Sequence, residues 1–165
     1  MPRINLKSTN SKVSITTTLI IIIYGIITVK IPLFLVNFIP QSGIGRYFNE
    51  HIFIFTAIYL VIIFYFLIVG CYYYYIKIDA YVMYISSFRT VFGLFKAKNY
   101  IEVPHDMLRQ FSFFNRSFSV NKTLMLKLQN ASGKIIIKRF NLSFLSEKEE
   151  LKISKVLDQI IAKNS

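Results

Sequence analysis

Two histidines, one cysteine and a set of basic residues are the side chains here with the means to do chemistry or hold a charged ligand. His51 ends the turn-rich connector between the two apolar runs and His105 lies in the polar segment after them. A metal site needs several such ligands converging on one point, and the two are not expected to share one. Pro104-His105-Asp106 would supply an acid–base pair, but the same residue types stop a strand and turn the chain. Cys71, the single cysteine, excludes an intrachain disulfide. It sits in apolar surroundings as a small hydrophobe, without the context of a lipidated thiol. The six glycines form no phosphate-binding loop, and no serine stands in a nucleophile elbow. No catalytic residue, metal ligand or cofactor is assigned. What remains is positive charge: Arg89, Lys96, Lys98, Lys138 and Arg139 are the candidate contacts to anionic lipid or to a partner.

The elements that must position these residues begin with Ile52–Ile76, twenty-five residues without a formal charge. As a helix it reaches about 37 Å, more than the roughly 30 Å hydrocarbon core of a bilayer. It is apolar all round and offers no solvent face. A second span, about residues 52–75, is therefore predicted, and a first over about residues 13–36 from the uncharged run Val13–Val29 and its continuation. Lys30 would snorkel to the head groups, and Pro32 and Pro40 disfavour a straight helix further on. No small-residue cleavage site follows the first apolar run, so it reads as an uncleaved anchor. The connector, about residues 37–51, has Pro, Gly and Ser for turning. Tyr72, Tyr73, Tyr74 and Tyr75 suit the lipid–water boundary and join Lys30 as interface anchors. Tyrosine also favours strands, so the helix is expected to feed almost directly into a sheet.

Net charge is +12 and mean hydropathy +0.48. Residues 1–12 carry Arg3, Lys7 and Lys12 without an acid, and are expected to be a mobile cytoplasmic tail. Residues 77–165 hold fifteen Lys or Arg against seven Asp or Glu. The positive-inside rule then puts both termini in the cytoplasm and the connector outside. In that orientation the four Asn-x-Ser/Thr triplets, at Asn115, Asn121, Asn130 and Asn141, are not glycosylation sites. Arg and Lys interleaved with aromatics around Arg109–Arg116 also match a nucleic-acid surface, but a domain tethered at an anionic leaflet meets lipid first. No nucleic-acid partner is expected.

From Ile76 onward the apolar period becomes two. Strands are predicted over Ile76–Asp79, Tyr81–Ser86, Lys98–Val103, Arg109–Phe114, Thr123–Gln129 and Lys134–Phe140, with a turn at Asn130–Gly133. Leu124, Leu126 and Leu128 should face inward. Ser146 and Glu149 form an S-x-x-E capping box opening a helix. Ile153, Val156, Leu157, Ile160 and Ile161 lay one apolar stripe along it, which must cover the sheet.

The order of two spans, short antiparallel strands and a closing amphipathic helix carries a resemblance. YIKIDAYVMYIS, KNYIEVPHDML and KIIIKRFNLSFLSEKEEL resemble the opening hairpin, the Pro-containing turn and the last strand with helix entry of bacterial pleckstrin-homology-like domains, as in the YcxB-like group. The resemblance covers about residues 76–162. It implies an α+β domain: a bent antiparallel sheet or barrel of about seven strands, plugged by the C-terminal helix and hung from a two-helix membrane hairpin. It transfers no functional residue. The expected protein is a multi-pass inner-membrane, non-enzymatic module. It would present a surface to anionic lipid or to an unknown membrane or cytoplasmic protein, the latter at an open sheet edge or the loop Val91–Lys98. The alternative is an accessory or immunity-type protein whose specificity lies in the spans.

Overall fold

The computed structural model describes residues 5–39, 41–90, 99–115 and 119–164. The chain divides into two units: residues 15–70, and the flanking residues up to Ser14 together with those from Cys71 on.

The first unit is helical. Helix α1, Ser11–Gly25, runs into a π-helical stretch, Ile26–Lys30, and then α2, Ile31–Phe38. Pro32 explains the irregularity, because it has no amide hydrogen and its ring crowds the carbonyl one turn back. The helix widens by one residue to pass it, and Ile31 N–H reaches Ile26 O. The helical path thus persists to Phe38, beyond the predicted end of the first span. Lys30 lies eight residues before that end rather than at it. Helix α3, Gly43–Val69, starts nine residues earlier than expected and ends earlier too. Ser42 is its N-cap, with Oγ accepting from Gly45 N–H at 2.9 Å. The connector shrinks to residues 39–42.

The second unit is α+β. Strands β1 (Leu6–Thr9), β2 (Tyr72–Ile78), β3 (Val82–Arg89) and β4 (Asn99–Pro104) form one antiparallel sheet in chain order. Strands β5 (Leu108–Asn115), β6 (Asn121–Gln129) and β7 (Ile135–Ser143) form another. Among the described residues the sheets are separate and close no barrel. Helix α4, Glu147–Asn164, follows. The alternation predicts the buried faces at Ile76, Ile78, Leu124, Leu126 and Leu128, which pack with Phe140 of β7 and with Ile153, Leu157 and Ile160 of α4. Ser146 Oγ caps α4 by accepting from Glu149 N–H at 3.3 Å, but Oε2 of Glu149 accepts from the Tyr74 hydroxyl at 3.1 Å.

Two further expectations are corrected. Residues 6–9 are not a free tail: they pair in register with β2, Leu6 opposite Ile78 and Thr9 opposite Tyr75. The long apolar hairpin is therefore inserted between two neighbouring strands of one sheet. Nor do the four tyrosines end a helix. Gly70, at φ 75°, breaks α3 in a conformation that favours glycine, and the strand period then divides the run. Tyr74 turns inward and is fully buried, while Tyr73 and Tyr75 face outward.

Candidate functional site

Arg89 and Arg139 come together. Arg89 ends β3 opposite Tyr72, and Arg139 lies on β7 opposite Met125. Two cross-sheet hydrogen bonds hold these strand ends against β7. Ser87 Oγ donates to Asn141 O at 2.5 Å, and Asn99 Nδ2 donates to Arg139 O at 2.6 Å. Between them opens a cleft of about 170 Å³, whose lining residues include Arg89, Arg139, Asn99, Asn141, Tyr72 and Phe88. Among these described residues none is acidic. Lys138 does not join, since it shares the face of Phe140 and Leu142 and points away from its neighbour. Lys96, Lys98 and the loop Val91–Lys98 lie outside the described residues.

Beside this cleft is a polar cluster that motif reading passed over. The Asn10 amide donates to Tyr72 O at 2.8 Å and to Ser143 O at 2.9 Å, while its Oδ1 accepts from Tyr74 N–H at 2.9 Å. Beyond Thr9, strand β1 has no backbone left to offer β2. The carboxamide, with one donor group and one acceptor like a peptide, continues the ladder by side chain. Tyr72 N–H donates to Ser143 Oγ at 2.6 Å, and the Ser143 hydroxyl donates to Asn121 Oδ1. Asn10, Asn121 and Ser143 are all buried. The signal was present but ambiguous: an asparagine just before a helix reads as an N-cap. Its carbonyl does accept from Ser14 N–H at 2.9 Å, but its side chain serves the sheets. The cluster ties Asn10 and Tyr72, which lie on either side of the helical segment in the chain, to Ser143 of the three-stranded sheet.

No family model, curated protein or solved structure matches the chain.

A shallow groove of about 500 Å³ lies on the outer face of β2 and β3, between Tyr75, Lys77, Tyr81, Tyr84 and Glu102. Lys77 pairs with Asp79 at 2.6 Å, which raises its pKa. Burial pushes the Tyr74 phenol well above its ordinary value, and the nearby Glu149 carboxylate adds to the shift. His105 sits in the 3₁₀ turn His105–Met107 after β4. Burial lowers its pKa, with Lys163 in the same sense. A hydrogen bond to the Val82 backbone and the neighbouring Asp106 oppose it. Among the described residues no three His, Cys, Asp or Glu side chains gather to hold a metal.

Proposed function

We propose that the chain is a membrane-anchored, non-catalytic module of the bacterial inner membrane. In this reading two helices cross the bilayer as a hairpin and a pleckstrin-homology-like domain faces the cytoplasm. That domain offers a binding surface to anionic head groups or to a protein partner. The observation that carries the reading is the pairing of Leu6–Thr9 with β2 across the inserted helices. A strand before the hairpin and strands after it belong to one folded unit, so any crossing must occur an even number of times. Cleavage after the first helix would also remove β1 from its sheet, which favours an anchor over a signal peptide.

Surface chemistry supports the same reading. Ser11–Phe38 and Gly43–Val69 are 28 and 27 residues long, about 40 Å each as helices. No residue in the most apolar part of α3 is buried, unlike a core helix of a water-soluble fold. Phe53 and Ile68 are each 81% exposed, and each such side chain gains about 2 kcal/mol on leaving water. Six strands after the hairpin, in two antiparallel sheets, and one closing helix fit a mixed α+β domain, while the seventh strand, β1, precedes the hairpin. The cytoplasmic orientation rests on the basic flanks.

Alkaline extraction of membranes and protease treatment of intact cells test this directly. The protein should stay with the bilayer, and the C-terminal domain should be cut only after permeabilisation. A folded monomer released without detergent would overturn the reading.

A further inference from the structure

We propose that the Arg89–Arg139 cleft is a site for one phosphate group. Its lining brings Arg89 and Arg139 together with Asn99 and Asn141. Guanidinium forks match phosphate oxygens in geometry and charge. Its volume of about 170 Å³ falls below the roughly 300 Å³ at which pockets begin to enclose whole small molecules. The cleft therefore suits the phosphate end of a larger molecule, or free phosphate, and not a nucleotide.

The site is also built rather than incidental. Asn99 Nδ2 on Arg139 O and Ser87 Oγ on Asn141 O fix the backbone on both sides of the opening. Asn141 Oδ1 accepts from Thr123 Oγ1 at 3.0 Å, which turns the Asn141 amide as a donor away from that contact. Tyr72, on the rim, is three residues from Val69, the last residue of α3. Three residues span at most about 11 Å. If the hairpin crosses the bilayer, the cleft is thus tethered within reach of the head-group layer. The choice of a phospholipid as the source of the phosphate rests on that membrane reading; the phosphate chemistry does not.

The test uses the full chain in a neutral detergent. Three soluble probes are titrated by calorimetry: short-chain phosphatidic acid, short-chain phosphatidylcholine and inorganic phosphate. Arg139→Gln, on an exposed side chain, and the pair Arg89→Gln/Arg139→Gln are compared with Lys152→Gln/Lys155→Gln, which removes equal charge from the exposed face of α4. Phosphatidic acid should bind, and Arg139→Gln should weaken it at least tenfold while the lysine pair changes it less than twofold. Binding of inorganic phosphate with the same arginine dependence would keep the site and make its ligand free phosphate. Equal weakening by the lysine pair, or binding of no probe above the double arginine variant, would overturn the proposal. Loss of the membrane reading in fractionation would leave the phosphate result standing, so the two failures are distinguishable.

Discussion

Asn10→Ala is the perturbation that tests the tie between the two strand systems. The wild-type side chain is 4% exposed and makes three hydrogen bonds, to Tyr72 O, Ser143 O and Tyr74 N. A net value of about 1 kcal/mol per bond gives about 3 kcal/mol, and burial of the abandoned backbone groups makes about 2–4 kcal/mol a fair range. The unit affected comprises roughly 110 residues. At about 2.1 cal/mol/K per residue its unfolding entropy is about 0.23 kcal/mol/K. The melting temperature should therefore fall by about 9–17 °C. Thermal melts of the detergent-solubilised protein, followed by circular dichroism in the tyrosine region, would measure it. Asn10→Asp should not rescue, because it keeps the acceptor for Tyr74 N–H but loses both donors and sets a charge against two carbonyls. Amide exchange at Tyr72 and Tyr74 should accelerate in both variants. A melting temperature within about 2 °C of wild type, with exchange unchanged, would show that the carboxamide is not a ladder element.

Two further outcomes follow from the geometry. A Cβ at Gly25 would lie 2.4 Å from Tyr59 Oη and 2.5 Å from Cζ, so Gly25→Val should weaken the helical unit by about 1–3 kcal/mol. Tyr59→Ala in the same chain should recover most of that loss in a denaturing-detergent titration, and additive losses in the double variant would refute the contact. His105 has a folded pKa below its unfolded value of about 6.5, so the unfolded chain binds the proton first. The stability it contributes is complete above about pH 6.5 and is lost as pH falls from there towards the folded pKa. Denaturation midpoints at pH 7.5 and 5.5 should differ more for the wild type than for His105→Gln, and equal differences would sink the assignment.

Local patterns in the chain were sufficient for much of the architecture. Apolar runs without charge marked both long helices, since length and hydropathy need no tertiary context. Alternation at Ile76/Ile78 and Leu124/Leu126/Leu128 named the inward faces, and the stripe on α4 named its buried side. Helix ends were less legible. Ser42 and Gly43 start α3 earlier than the first unbroken apolar run suggested, because charged residues such as Arg46 and Glu50 are tolerated where a helix emerges from its apolar part.

Tertiary structure decided what pairing between distant segments decides. Leu6–Thr9 looks like a polar tail because a four-residue strand carries too little pattern to announce itself, and its partner lies some seventy residues away in β2. Tyr72–Tyr75 look alike in sequence, yet one is core, one lines a cleft and two face outward, since strand direction and not composition assigns the face. The same holds for the basic residues. Arg89 and Arg139 meet while Lys138, adjacent to one of them, does not, because register between strands and the two-residue period, rather than proximity along the chain, decide which charges share a surface.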